Sequence, residues 1–158
     1  MSRICCFTGH REIENAKAYP LSQKLEEAVV YLIENEGVTD FRAGGARGFD
    51  NLASLAVLKL KKKYPNIKLH IMLPCKNHSK YFRRFDRETF DFVLENADSV
   101  TYVNEKYNKG SMFARNRALV DGSDVCIAYL NALSGGTYYT VKYARQAKIQ
   151  VMNLNKGL

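Results

Sequence analysis

Apolar positions along the chain recur at two spacings, and the two spacings take turns. Ile4 to Thr8 is a short unbroken apolar run closed by Gly9-His10-Arg11, the mark of a buried strand ending in a polar loop. Leu21, Leu25, Ala28, Val29, Leu32 and Ile33 then repeat at helical spacing as far as Glu34, with Gly37 as the stop. Thr39 to Ala43 reads as a second strand, because a glycine turn and the helical pattern Leu52, Leu55, Ala56, Leu58 follow it. Ile67 to Leu73 alternates and ends at Pro74, giving a third strand. Tyr81 to Ala97 carries Phe82, Phe85, Phe92 and Val93 among charges and is expected to be an amphipathic helix, followed by a fourth strand over Asp98 to Val103. A helix over Ser111 to Val120, a strand over Val125 to Leu130, a helix ending near Ala147 and a strand over Ile149 to Leu154 complete the series.

Strands too apolar to face water on either side, alternating with helices, imply a doubly wound, Rossmann-like α/β fold. Its sheet is mostly parallel, with helices on both faces. The 158 residues are read as a single domain, 1–158. In such sheets ligands lie beyond the carboxyl ends of the strands, near the point where strand order reverses. The loops Thr8 to Arg11, Gly44 to Asp50, Pro74 to Tyr81 and Asn131 to Thr137 all follow strands, so they are expected to meet on one edge and build one site.

Composition changes little in this picture but narrows the setting. A hydrophobic fraction of 46% and a charged fraction of 25% suit a soluble domain. The apolar run at the start is too short for a signal peptide and no stretch has membrane-spanning length, so a cytoplasmic protein is expected. Cys5, Cys6, Cys75 and Cys126 form no C-x-x-C pair and are expected as buried free thiols, and the scattered histidines give no metal site. No cofactor is expected. The net charge of +8 favours an anionic partner. Lys59, Lys61, Lys62 and Lys63 complement a helix C-terminus, whereas Arg83, Arg84 and Arg87, interleaved with Phe82 and Phe85, have the composition of a single-stranded nucleic-acid groove.

Candidate chemistry centres on Gly44-Gly45-Ala46-Arg47-Gly48-Phe49-Asp50, a glycine turn entering a helix. Glycine permits positive φ and close backbone approach, and the N–H groups of a helix start attract anions. The familiar nucleotide motifs fail here. The turn lacks the first glycine of G-x-G-x-x-G, and no acid follows at the distance that binds a ribose; no Gly-Lys-Ser/Thr marks a P-loop, and no G-x-S-x-G elbow is present.

Gly44 to Ala53 resembles instead the G-x-A-x-G-x-D-x-x-A signature of DprA/Smf-like proteins, which the SLOG superfamily joins with the LOG phosphoribohydrolases. Thr8-Gly9-His10-Arg11, Arg115-Asn116 and Gly135-Gly136-Thr137 resemble its YpsA-like branch. The resemblance covers nearly the whole chain. It implies a Rossmann-like pocket for a nucleotide or nucleotide derivative, of ADP-ribose, NAD or nucleoside-phosphate type, in a ligand-binding or sensing protein that forms homodimers or higher homo-oligomers. It also implies ligand-binding roles for Gly9, His10, Arg11, Gly44, Gly45, Ala46, Arg47, Gly48, Asp50, Arg115, Asn116, Gly135, Gly136 and Thr137. On physical grounds the glycine turns supply N–H groups and Arg11 and Arg115 bidentate charge to phosphate, while His10 stacks on a base or donates to phosphate. Asp50 either stabilises the first turn of its helix or bonds a ribose hydroxyl. The main alternative is nucleoside-monophosphate phosphoribohydrolase activity with Arg115 as the candidate catalytic residue. LOG enzymes resemble P-G-G-x-G-T-x-x-E, and Thr140 stands where the glutamate falls; a threonine does not replace a carboxylate in glycosidic cleavage. Binding of single-stranded nucleic acid is the second alternative.

Overall fold

A computed structural model describes residues 2–80 and 82–155. Six strands form one sheet: β1 (Arg3–Gly9), β2 (Val38–Ala43), β3 (Lys68–Leu73), β4 (Ser99–Tyr102), β5 (Val125–Tyr129) and β6 (Gln150–Asn153). Their spatial order is β4-β3-β2-β1-β5-β6, and every pairing is parallel. The helices are α1 (Asn15–Glu36), α2 (Phe49–Leu60), α3 (Arg84–Asn96), α4 (Ser111–Val120) and α5 (Gly136–Gln146). The chain steps outward from β1 to β4, then crosses back to lay β5 on the free side of β1, so strand order reverses between β1 and β5.

Alternation along each strand divides the core in two. Cys5, Phe7, Val125, Ile127 and Tyr129 face one side, where they pack with Leu21, Leu25 and Val29 of α1, Phe49 and Ala53 of α2, and Phe90 and Val93 of α3. Cys6, Cys126 and Ala128 face the other side, against Leu119 and Val120 of α4 and Val141 and Ala144 of α5. All four cysteines are buried free thiols. Among the described residues no helix is long and apolar enough to cross a membrane.

Several boundaries differ from those the pattern predicts. α1 begins at Asn15, six residues before Leu21, and carries Pro20 in its second turn, where the absent N–H forgoes one helical bond. Its end is the expected one: Gly37 adopts φ 66° and donates its N–H to Leu32. α3 begins only at Arg84; Phe82 precedes it, and Tyr81 lies outside the described residues.

Arg42 is the polar residue of β2 whose presence hydropathy does not explain. Its Nη1 donates to the carbonyl of Asp121 at 2.6 Å and to those of Ala118 and Leu119 at 3.4 Å. These are the last carbonyls of α4 and its cap, which lack intrahelical partners and carry the negative end of the helix dipole. A cation from the sheet therefore anchors the C-terminal end of α4, the helix that carries Arg115.

Candidate functional site

A cavity of about 730 Å³ opens where strand order reverses, beyond the carboxyl ends of β1 and β5. Its walls come from four places: Phe7 to Glu12 after β1, Ala46 and Asp50 at the start of α2, Tyr107 to Leu119 on the approach to α4 and along it, and Asn131 to Thr137 before α5. Of the residues expected to bind a ligand, Gly9, His10, Arg11, Ala46, Asp50, Arg115, Asn116, Gly135, Gly136 and Thr137 line it. Gly44, Gly45, Arg47 and Gly48 are not among its lining residues.

The glycine turn after β2 is filled by the protein itself. A methyl group on Gly44 would lie 2.6 Å from Arg115 Nη1 and 2.9 Å from Asp50 Oδ2. On Gly45, whose φ is +73°, it would lie 2.4 Å from Leu73 Cδ2; on Gly48, at φ +76°, it would lie 2.3 Å from the carbonyl oxygen of Arg11. The first helical N–H of α2, that of Phe49, donates to His10 O at 3.1 Å. Glycine is required in this turn so that a core leucine, the buried Arg115 and Asp50 side chains and the β1 loop can approach the backbone. Gly9 follows the same logic: a Cβ there would stand 2.3 Å from Cγ of Phe49. Arg47 pairs with Glu12 at 2.5 Å, tying the turn to the β1 loop from outside.

Beneath the turn, Asp50 and Arg115 are both buried. Asp50 Oδ2 accepts from the N–H of Ala46 at 3.1 Å. Arg115 donates through Nη1 to Gly44 O and, at 3.5 Å, to Met72 O, and through Nε to Asn116 Oδ1 at 3.0 Å. Burial raises the Asp50 pKa against the pull of Arg115, and burial lowers that of Arg115 against the pull of Asp50. Both shifts run toward the neutral forms, so dehydration outweighs attraction for each partner. Buried charges in this position are a poor source of stability, and groups so shifted gather at functional sites.

The turn before α5 differs. Gly135 has φ +95° with open space around its missing side chain, and Gly136 has only Asn116 Nδ2 nearby, at 3.8 Å. No side chain caps α5. The start of α5 therefore borders the cavity beside Asn116, through Gly135, Gly136 and Thr137. Thr140, one turn along, is buried and bonds back to Gly136 O at 2.8 Å, and it does not line the cavity.

His10 closes the opposite seam. Its Nε2 accepts from the N–H of Asn131 at 3.0 Å, which places the ring proton on Nδ1, and its ring stands edge-on to Tyr129. Burial lowers its pKa and favours that neutral form. The loop expected to contribute through Pro74 to Tyr81 does not reach the cavity with any described residue, because β3 lies two strands from the reversal. His78 of that loop is instead wedged against Phe82 and Phe90 behind the glycine turn. The wall that pattern reading missed is Tyr107, Lys109, Met112 and Phe113. These residues also follow a strand, β4, and the return crossover carries them back over the reversal.

The YpsA family model, described as the YspA SLOG family, matches residues 5–155. The chain belongs to this family. The Bacillus subtilis SPbeta prophage-derived protein YoqJ is 28% identical over 146 residues, 85% of each chain. A UPF0398 protein of Bacillus cereus is 24% identical over 129 residues, 80% of this chain and 70% of the relative. Among solved structures, DNA processing protein A of Helicobacter pylori, described for its single-stranded DNA binding mode, has a TM-score of 0.67 at 20% identity over 94% of this chain. The Streptococcus pneumoniae protein of the same name has a TM-score of 0.66 at 16% identity. The YpsA-type chain spans 63% and 49% of those two proteins. At such identities the likeness is one of fold.

Proposed function

We propose that the cavity at the strand reversal binds a phosphorylated nucleoside or nucleotide derivative, of the nucleoside-phosphate or ADP-ribose class, and that the protein is a binding or sensing module. The observation that carries this is the start of α5, which borders the cavity beside Asn116 with no side-chain cap, in a cavity that Arg11 and Arg115 also line. An exposed helix N-terminus in a cavity lined by two arginines favours an anion, and the cavity volume lies in the range of small-ligand sites. The two carboxylates of the lining speak for binding over glycosidic cleavage: Asp50 is held by the Ala46 N–H, and Glu12 by Arg47. The role of the glycine turn at Gly44, Gly45 and Gly48 is then to shape the pocket floor, with Arg47 as an outer strut.

A thermal-shift series with nucleoside monophosphates, ADP-ribose, NAD and cyclic nucleotides tests the proposal. At a hundredfold excess over its dissociation constant a true ligand adds about 2.7 kcal/mol, or about 5–11 °C for a chain of this size. Folded protein whose melting point no member of the series moves would sink it.

A second function has its own observation. Phe85 is 77% exposed beside the exposed Arg83, Arg84 and Arg87, whereas Phe82 and Phe90 pack together. Exposed cations around a bare ring suit single-stranded nucleic acid, the partner named for the Helicobacter pylori relative. Three phosphate contacts predict a slope of about −2 in log affinity against log salt, lost when the arginines are neutralised; affinity that ignores salt refutes it.

A further inference from the structure

Two aromatic rings border the cavity without being needed by the core. Tyr107 is 71% exposed and packs on no other ring among the described residues; Phe113 is 43% exposed and touches Tyr139 edge-on, with centroids 4.7 Å apart. Between them in sequence stand Lys109 and Met112, which also line the cavity. The rest of the wall follows α4 inward. Met112, Phe113, Asn116 and Leu119 recur at helical spacing, so Asn116 lies one turn deeper than Phe113, about 4.5 Å along the axis. Asn116 is the residue whose Nδ2 stands 3.8 Å from the Cβ position of Gly136, and whose Oδ1 accepts from Arg115. One wall thus runs from a polar, anion-favouring end at Gly136, Asn116 and Arg115 to an apolar, aromatic end at Phe113 and Tyr107.

We propose that Phe113 and Tyr107 form a base-stacking platform at the cavity mouth, so that the ligand lies with its phosphate at α5 and a planar nucleobase against these rings. This deepens the nucleotide proposal above and rests on it. Stacking is tolerant of base identity, because every base offers a π-face, so the platform selects nucleotides over sugar phosphates and leaves the choice of base to other contacts. Tyr139, which supports Phe113 and accepts at its hydroxyl from Arg117 at 2.9 Å, is the ring's positioning partner.

Titration calorimetry with adenosine 5′-monophosphate and ribose 5-phosphate, on the wild-type chain and on Phe113→Ala, Phe113→Leu and Tyr107→Ala, tests the platform. The wild type is expected to bind the nucleotide at least about fivefold more tightly than the sugar phosphate, and Phe113→Ala to weaken nucleotide binding between about fivefold and a hundredfold, with sugar-phosphate binding unchanged. Phe113→Leu keeps apolar bulk on the helix and should show most of the same loss, which separates stacking from damage to the fold. The chain has no tryptophan, so Tyr107→Trp adds a single reporter whose emission should be quenched by the nucleotide and not by the sugar phosphate. Equal binding of the two ligands by the wild type, or equal weakening of both by Phe113→Ala, overturns the platform and leaves phosphate binding at α5 standing. Binding of neither ligand overturns both proposals for these ligands. Reporter emission that changes with protein concentration alone would show that a second copy of the chain covers the rings, and would also overturn the platform.

Discussion

Replacing Gly9 by alanine separates two meanings of the glycines around the cavity. Gly9 ends β1 and lines the site, where a ligand would explain it; the structure assigns it to the core instead. The added Cβ would stand 2.3, 2.4 and 2.5 Å from Cγ, Cδ2 and Cβ of Phe49. Ordinary carbon contacts lie at about 3.5–4.0 Å, so strand and ring must part by roughly 1 Å or more. Phe49 has little freedom to yield, being fully buried and stacked on Tyr129 at 6.1 Å with Phe7 edge-on at 6.4 Å. Overpacking of this kind costs about 1–3 kcal/mol, and a rigid ring at such distances puts Gly9→Ala at the upper end, about 3 kcal/mol. For a chain of this length that is a fall of about 6–12 °C in melting temperature. Calorimetry or urea denaturation of Gly9→Ala, Phe49→Ala and the double variant measures it. The double variant should be more stable than the sum of the single losses implies, by at least about 1 kcal/mol, because alanine at position 49 removes the Cγ and Cδ2 that the new methyl group would meet. Additive losses, or a Gly9→Ala protein that melts within 2 °C of the wild type while ligand binding disappears, would refute the packing explanation.

Gly136→Ala is the converse case: with open space around the site and ordinary backbone angles it should leave stability unchanged or raise it by up to about 1 kcal/mol, while its methyl group weakens binding of a phosphate-bearing ligand in calorimetry. Arg115→Met leaves the Gly44 carbonyl without its guanidinium donor and the buried Asp50 without that neighbouring positive charge, and should cost about 1–3 kcal/mol by urea denaturation; adding Asp50→Asn should restore part of it, and two independent losses would contradict their electrostatic coupling. His78 has its pKa pushed down to about 4 by burial and by the charges of Arg115 and Arg11, so folding favours the neutral ring. Its contribution is complete above the unfolded value near 6.5 and is lost as pH falls from there toward 4. Between pH 7 and 5 the wild type should lose up to about 2 kcal/mol relative to His78→Gln, and equal pH dependence of the two proteins would contradict it.

The hydropathy of β1 and β5 marked both the sheet and its parallel character, because strands buried on two faces need apolar residues in succession. Residues that line the cavity were legible where a motif marked them, as with His10 and Arg11 after β1, Arg115 on α4 and Gly135 to Thr137 before and at the start of α5. The division of labour between the two glycine turns was not legible. Gly44, Gly45 and Gly48 look as open in sequence as Gly135 and Gly136; only in space do Leu73, Arg115 and the β1 loop occupy the room their absent side chains leave. Tyr107 and Phe113 escaped notice because a polar loop and one helix face carry no periodic signal of the cavity they border. The reach of the 74–80 segment was overstated for a topological reason, since strand order decides which carboxyl-end loops are neighbours.

The reversal of strand order also dictates when the cavity comes into being. Strands β1 to β4 pair between sequential neighbours, so closing each contact involves a modest loop. The seam between β1 and β5 joins residues about 120 apart: the N–H of Ile4 bonds to Asp124 at 2.8 Å and the N–H of Asn131 to His10 at 3.0 Å. Contacts of that separation pay a large loop-closure entropy before they return anything, and they slow folding accordingly. During synthesis the first four strands can emerge and associate while one wall of the pocket has not yet been made. A ligand seated between the β1 and β5 loops would bridge that late seam, acting on the last step of folding and holding shut the junction that is entropically dearest to close.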